Sequence, residues 1–321
     1  MLTFGSVDNH KPITTMTLKQ RFPFRIGTSS YIIPADIIPN VEYLKDKVDD
    51  IELVLFESDE FSNLPSQADI QRLKELANEW SLTYSVHLPL DVYLGHPDRA
   101  ERERSVGKCL RIIELTRDLP KSAYVMHFEA GPGVDINGFS ADEQQHFIDA
   151  LRDSLALLLN GTDEPASSFC AENLNYLFEL VWPVVEEFGL SVTLDVGHLE
   201  YYGFPTADYL KRYLPKAKVL HVHGTVDGKD HNSLSYLKPE ALELLMGELA
   251  LQPLTSRVFT MEIFSEDDFK SSCGVMERFV APRVTATVDE VFGKLQELER
   301  RVFSCEEMSD VLQQEFERRK R

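Results

Sequence analysis

The sequence predicts an α/β fold, a single-domain (β/α)8 TIM barrel, and three observations support that prediction. Short apolar runs occur eight times, amphipathic segments separate them, and the pattern takes up about 275 residues. Strands that alternate with helices pair in parallel through βαβ crossovers, and eight such units match this barrel in number and length. The competing architecture is an open doubly wound sheet. That fold usually has a Gly-rich loop after its first strand, where this chain has GTSSYIIP without a GxGxxG motif.

The predicted strands have at most eight residues and are largely apolar at both odd and even positions. This pattern is typical of strands that are buried on both faces. They are 24–30, 51–57, 83–89, 123–129, 169–174, 191–198, 218–224 and 258–264. The predicted helices carry apolar stripes, such as the one that runs from Leu73 to Trp80 at i, i+3, i+4, i+7 spacing. They are 39–48, 67–80, 100–117, 141–160, 176–187, 207–214, 239–249 and 288–303.

Two segments lie outside the predicted catalytic barrel domain of residues 21–303. Residues 1–20 are polar and aperiodic, so we expect a polar N-terminal extension. Residues 304–321 are helical in composition and end in ERRKR, so we expect a solvated helical tail.

The composition indicates a soluble globular protein and excludes some classes of binding partner. The chain has 33 Lys and Arg against 53 Asp and Glu, a formal charge of −20, which argues against a protein that binds nucleic acid through broad phosphate contacts. No apolar run approaches the roughly 20 residues of a membrane span, and no secretory signal is visible. The four cysteines lie far apart without CxxC spacing. A cytoplasmic protein with reduced thiols and no membrane partner is therefore expected.

Metal-competent side chains occur at the carboxyl ends of seven predicted strands. Barrel active sites are built at this end, and a strand has no structural need for a charged or imidazole side chain there. A single such residue is usually a hydrogen-bonded core residue or a helix cap. For seven strands, that explanation would have to hold independently seven times, so it does not account for the set as a whole. The residues are Glu57, His87, His127 with Glu129, Glu172, Asp195 with His198, His221 with His223, and Glu262.

These donors predict a multi-metal site. Imidazoles and carboxylates suit Zn²⁺ first, with Mn²⁺ or Fe²⁺ as alternatives, and their number exceeds what one ion can use. They fit two ions that share a bridging carboxylate, or two with a looser third. Such a cluster is suited to hydrolysis of a phosphate ester, because the ions activate water and neutralise phosphate oxygens. An acidic protein can thereby hold an anionic substrate.

The pattern resembles the xylose-isomerase-like barrel superfamily, and within it the AP endonuclease 2 branch that contains endonuclease IV. That branch has a His on strands three and four, a Glu on strand five and Asp-x-x-His on strand six. A His on strand seven, an Asp-x-His after it and a Glu on strand eight complete the set. The matching residues here are His87, His127, Glu172, Asp195 with His198, His221, His231 and Glu262. Lys229 stands where Asp-x-His has its Asp, and Asp227 or Asp230 could substitute.

Four longer runs resemble the cobamide-remodelling phosphodiesterase family (CbiR). They are RIGTSSYIIPADIIPNV, VDDIELVLFESDEFSNLPS, YSVHLPLD and LDVGH. Membership implies hydrolysis of the nucleotide-loop phosphoester of a cobamide such as coenzyme B12. The small-molecule corrinoid substrate would yield cobinamide and α-ribazole phosphate.

The resemblance also implies roles for the residues. His87 and His127 would hold one ion and Asp195 and His221 another, with Glu172 as the bridge. Glu172 and Glu262 are the expected catalytic residues, and His198 and His231 would hold a third ion or contact the phosphate. Further candidates are Glu57, Glu129, His223 and Asp230 as ligands or as partners of the imidazoles, and Tyr31 and Phe56 as substrate contacts. The sequence leaves open whether His221 or His223 is the strand-seven ligand.

Three rival functions fit the same barrel. A sugar isomerase or epimerase would use one ion on Glu172, Asp195, His221 and Glu262, with the two glutamates moving protons. An abasic-site endonuclease would keep the ions but needs a surface for duplex DNA. A non-catalytic corrinoid-binding protein would bind its ligand without turnover.

Overall fold

A computed structural model describes residues 17–58 and 61–280, and it confirms the predicted closed barrel of eight parallel strands. The strands in chain order are β1 (Arg25–Ser29), β2 (Asp50–Val54), β3 (Tyr84–His87), β4 (Lys121–Met126), β5 (Phe169–Glu172), β6 (Ser191–Asp195), β7 (Ala217–Val222), β8 (Gly224–Val226), β9 (Lys229–Asn232) and β10 (Val258–Met261). Strands β1 to β7 pair in chain order, and β10 pairs with both β7 and β1 to close the barrel. β8 and β9 form a separate antiparallel hairpin.

Helices follow most of the barrel strands, as the sequence predicts. They are α1 (Ile37–Leu44), α2 (Gln67–Trp80), α3 (Arg99–Thr116), α4 (Ala141–Asn160), α5 (Trp182–Glu187), α6 (Val196–Tyr202), α7 (Thr206–Tyr213), α8 (Pro239–Leu251) and α9 (Glu266–Met276). Capping boxes fix the start of α2, between Ser66 and Asp69, and of α4, between Ser140 and Glu143. None of the helices in the described residues has the length and apolar content that crossing a bilayer requires.

A small apolar cluster fills the barrel directly beneath the strand ends. It consists of Ala123, Val125, Cys170 and Val219, all buried. Because side chains two residues apart share one face of a strand, these four point the same way as His127, Glu172 and His221. The residues directly beneath His127, Glu172 and His221 are therefore apolar.

The structure departs from the predicted elements at three places. The strand predicted to run through 198 ends at Asp195, where α6 begins. The hairpin β8–β9 interrupts the segment between the seventh and eighth barrel strands, and α9 follows the last strand directly. The predicted helix 288–303 and tail 304–321 lie outside the described residues, as does most of the predicted extension 1–20. Leu18 of that extension is buried, and its N–H donates to the carbonyl of Lys47.

Candidate metal centre

The barrel mouth brings together all eight residues predicted as metal ligands, and His223 joins them. Within each of three groups, the candidate ligand atoms lie within 4.8 Å of one another. The first group is His87, His127 and Glu172; the second is Glu172, Asp195, His221 and Glu262; the third is His198, His223 and His231.

Glu172 at the end of β5 is shared by the first two groups. Its Oε2 lies 3.0 Å from Nε2 of His127, and its Oε1 lies 3.1 Å from Nδ1 of His221. The carboxylate is almost fully buried, so both oxygens are committed to these imidazoles. One carboxylate therefore faces donors of both groups, one through each of its oxygens.

In the first group, each imidazole turns one nitrogen towards Glu172 and ties the other nitrogen to the protein. His87 Nδ1 donates to the carbonyl of Leu88 at 2.8 Å, so Nε2 is the nitrogen that faces the centre, 3.7 Å from Glu172. His127 has Nδ1 3.6 Å from Glu129 while its Nε2 faces Glu172. Outer partners of this kind select the tautomer that a metal needs. Glu129 therefore contacts the nitrogen of His127 that points away from Glu172. This is the position that its predicted role as an imidazole partner requires.

In the second group, His221 is held by a residue that the sequence reasoning missed. Its Nε2 lies 2.9 Å from Oε2 of Glu52, which is fully buried in the middle of β2. Nε2–H donates to this carboxylate, and Nδ1 faces Glu172 and Glu262, each 3.1 Å away. The surrounding carboxylates raise the pKa of His221 well above its usual value, so in the metal-free protein Nδ1 carries a proton that a metal would displace. The strand-seven residue of this group is thus His221.

The sequence pointed to Glu57, not Glu52, as the acid on the second strand. Glu57 belongs to none of the three groups in the described residues; its Oε1 pairs with Arg111 of α3 at 2.6 Å. The signal that could have identified Glu52 is a lone carboxylate inside the apolar run IELVLF, because burying a charge without a partner is costly.

The charges of the cluster explain its pKa values. Burial alone would raise the pKa of Glu172, but the charges of His221 and His127 hold it well below its usual range. Burial likewise opposes protonation of His127, yet Glu172 and Glu129 raise its pKa to about 10. Protons on the imidazoles thus balance the buried carboxylates, and a divalent cation would supply the same compensation.

Unpaired buried atoms support the fit of a cation. Oε2 of Glu262 lies 3.1 Å from Nδ1 of His221 and 3.4 Å from Nδ1 of His231, but neither Oε2 nor Nδ1 of His231 is aligned for a regular hydrogen bond. Oε1 of Glu52 is also buried without a partner. Native proteins rarely leave such atoms unsatisfied unless an ion or water completes them. The donor set of these groups, which combines imidazoles and carboxylates, fits divalent cations.

The third group is built differently. Asp195 caps α6 by accepting the N–H of His198 at 2.7 Å, so His198 lies one helical turn above the strand end. His231 adopts a left-handed backbone (φ 55°), and its N–H donates to Nδ1 of His223 at 3.1 Å. A neutral His223 then carries its proton on Nε2, which faces Asp195 at 3.3 Å. In this arrangement His223 offers no free lone pair, so the group has two available imidazoles, His198 and His231.

Gly197 of the DVGH segment is required by this packing. A Cβ at this position would lie 2.4 Å from the ring of His223. Any larger residue would therefore push His223 away from Asp195. The glycine lets α6 approach β7 closely enough to bring His198 and His223 together.

The remaining predicted residues lie at the edge of the mouth. Asp230 is 3.8 Å from Nε2 of His231, and Lys229 is exposed on the hairpin. The rings of Tyr31 and Phe56 lie 6.0 Å apart in the loops after β1 and β2. These two aromatic residues therefore belong to the wall of the mouth and not to the ligand groups.

We expect binding of Zn²⁺ to the metal-free protein to release at least one proton at pH 7. His127 has a pKa of about 10 because of Glu172 and Glu129, so it must lose a proton before it can bind a metal. Zinc affinity should consequently rise with pH below that value. Calorimetric titration in buffers of different ionisation enthalpy measures the protons released, and identical enthalpies in every buffer would contradict this expectation.

Comparison with known proteins places this barrel in a family. A family model described as a xylose isomerase-like TIM barrel, AP endonuclease 2, matches residues 44–277. The chain belongs to this family. A search of curated proteins finds no match.

Several solved structures share this fold. A D-tagatose 3-epimerase-like protein is 19% identical (TM-score 0.63; 80% of this chain and 97% of the other covered). A D-psicose 3-epimerase is 15% identical (TM-score 0.60; 80% and 99%). Endonuclease IV from Thermus thermophilus is 19% identical (TM-score 0.57; 79% and 98%). At these identities the likeness establishes a shared fold.

Proposed function

We propose that the protein is a metal-dependent phosphodiesterase that uses two divalent cations. The observation that carries this proposal is Glu172, whose two oxygens face two separate groups of donors. His87, His127 and Glu172 would hold one ion, and Glu172, Asp195, His221 and Glu262 the other. Zn²⁺ is the first choice for this donor set. The chemistry that such ions supply is Lewis acidity towards phosphate oxygens and water.

The chain's own residues would orient the reaction. Glu172 positions both halves of the centre, and Glu52 and Glu129 keep His221 and His127 in the metal-binding tautomer. Glu262 has its Oε2 at the mouth beside His221 and His231, and it would accept the proton of the attacking water. His198 and His231 lie next to it and would donate hydrogen bonds to the phosphate.

For the substrate we propose a cobamide, on the strength of the four sequence runs that resemble the CbiR family. Water would add its hydroxyl to phosphorus while the bond from phosphorus to the oxygen of the aminopropanol arm breaks. The departing oxygen takes up a proton, so the products are cobinamide and α-ribazole phosphate. Neither product requires an oxidant or a further co-reactant.

A sugar epimerase is the second candidate, and the second group favours it. Glu172, Asp195, His221 and Glu262 are sufficient for one ion with two carboxylates that could move protons. Epimerases are also prominent among the similar structures. Such an enzyme has no use for His87 and His127 as ligands, nor for the interaction of Glu172 with them.

The deciding experiment uses purified protein loaded with Zn²⁺, Mn²⁺ or Fe²⁺. We expect coenzyme B12 to be converted to the cobinamide and α-ribazole phosphate, which chromatography separates. D-tagatose and D-psicose are incubated in parallel, and an abasic DNA duplex serves as a third substrate. Intact coenzyme B12 with all three metals would overturn the cobamide assignment, and epimerised sugar would establish the second candidate instead.

A further inference from the structure

An apolar cavity of about 740 Å³ opens beside the metal centre. The loops after β1, β2 and β10 form it, and we call it the aromatic pocket. Its apolar lining consists of Tyr31, Ile32, Ile33, Pro34, Phe56 and Phe264. Cavities of roughly 300–1,000 Å³ are typical of sites that bury most of a drug-sized ligand.

Two asparagines hold the walls of this pocket in shape. Asn40 is fully buried, accepts the N–H groups of Ile32 and Ile33 at 2.8 and 2.9 Å, and donates to carbonyls of the same loop. Asn63 accepts the N–H of Phe56 at 2.5 Å and donates to the hydroxyl of Tyr31. Side-chain amides therefore fix the loops, and the apolar side chains are left facing the cavity. A surface fixed in this way before binding loses little freedom when a ligand arrives.

The pocket lies next to the metal centre through Phe264 but differs from it in charge. The ring of Phe264 lies 5.5 Å from the ring of His231, and its side chain is 42% exposed. Of the described residues that line the pocket, none is Lys or Arg; its acidic residues are Asp36 and Glu266, and Glu266 pairs with Lys270 at 2.9 Å. The pocket itself thus has no cation for a phosphate. It suits an uncharged group attached to an anion that the metal centre holds.

We propose that the aromatic pocket binds the apolar face of a large ring system joined to the scissile phosphate, as the corrin macrocycle is in the proposed substrate. This inference rests on the proposed function. The ring packs against Phe56 and Phe264 and contributes binding energy away from the reacting phosphorus. A monosaccharide would leave most of this volume empty and would find few polar partners on these walls.

The test measures binding of dicyanocobinamide, which has the ring and no phosphoester, to the full-length metal-loaded protein by equilibrium dialysis. We expect Phe56→Ser and Phe264→Ser to weaken binding at least tenfold, and Phe264→Leu to retain most of it. Leu251→Ser on α8 is the matched control, because that apolar side chain is 78% exposed and distant in the fold. Thermal unfolding of each variant checks that the fold is retained.

The outcomes separate this proposal from the proposed function. Failure of the wild-type protein to bind dicyanocobinamide, or equal binding by the serine variants, would overturn the pocket assignment even if coenzyme B12 is hydrolysed. Binding that depends on Phe56 and Phe264 without hydrolysis would support the pocket and reject the phosphodiesterase. If the pocket assignment and the phosphodiesterase activity both hold, the serine variants should raise KM for coenzyme B12 far more than they lower kcat.

Discussion

Replacing His87 with alanine should remove one of two bound ions and lower phosphodiesterase activity about a thousandfold, roughly 4 kcal/mol of transition-state stabilisation. The first group would keep only His127 and Glu172, which is too few ligands for a stable zinc site. The second group keeps all four donors, so one ion should remain. Elemental analysis after gel filtration gives the number of ions per chain, and product formation gives the rate.

His146→Ala provides the matched control for this prediction. His146 lies exposed on α4 and belongs to none of the three groups of described residues, so its loss should change neither metal content nor rate. A single-ion epimerase makes the opposite prediction, because His87 is not among its ligands. Full metal content and activity in His87→Ala would therefore refute the two-ion centre and favour the epimerase.

Much of the barrel could be predicted because the alternation of apolar strands and amphipathic helices repeats so regularly. Every predicted strand overlaps a barrel strand, and α2 and α4 match residues 67–80 and 141–160 in full. The carboxyl ends of parallel barrel strands share one face, so strand-end residues distant in sequence could be expected to meet.

The β8–β9 hairpin and α9 were not predicted, although each has a local sequence signal. Asp227 and Gly228 both have positive φ, as the central pair of a type I′ hairpin turn requires, and Asp-Gly is a typical sequence for it. α9 begins after Ser265, whose side chain accepts from the N–H of Asp268, and three acidic residues lie in its first turn. Both segments are too short or too weakly amphipathic to stand out in a scan for apolar stripes.

The site could be predicted only where its residues stand at strand ends. Glu52 was missed because it lies in the middle of β2, well before Glu57, and only the three-dimensional path of β7 brings His221 to it. The role of His223 could not be inferred either. Its Nδ1 is committed by a backbone N–H of the hairpin, a contact that no spacing rule reveals.

Glu52→Gln should weaken zinc binding by about 10–100-fold, the usual effect of removing an outer partner of a metal-ligating histidine. The glutamine can still accept the N–H of His221 through its amide oxygen, so the charge is what the substitution removes. Without that charge, Nδ1 of His221 becomes a poorer donor to the cation. Competition with a chromophoric chelator measures the affinity directly, independently of turnover.

The stability of the same variant distinguishes a positioning role from a merely structural one. Glu52 is a fully buried carboxylate with one oxygen unpaired, so its neutralisation relieves a desolvation cost in the metal-free protein. We therefore expect metal-free Glu52→Gln to unfold at the wild-type temperature or above it, while its zinc affinity falls. Glu57→Gln is the control from the same segment of chain, since Glu57 pairs with Arg111 and should leave zinc affinity unchanged. Unchanged affinity in Glu52→Gln, or an equal loss in Glu57→Gln, would show that Glu52 does not act through His221.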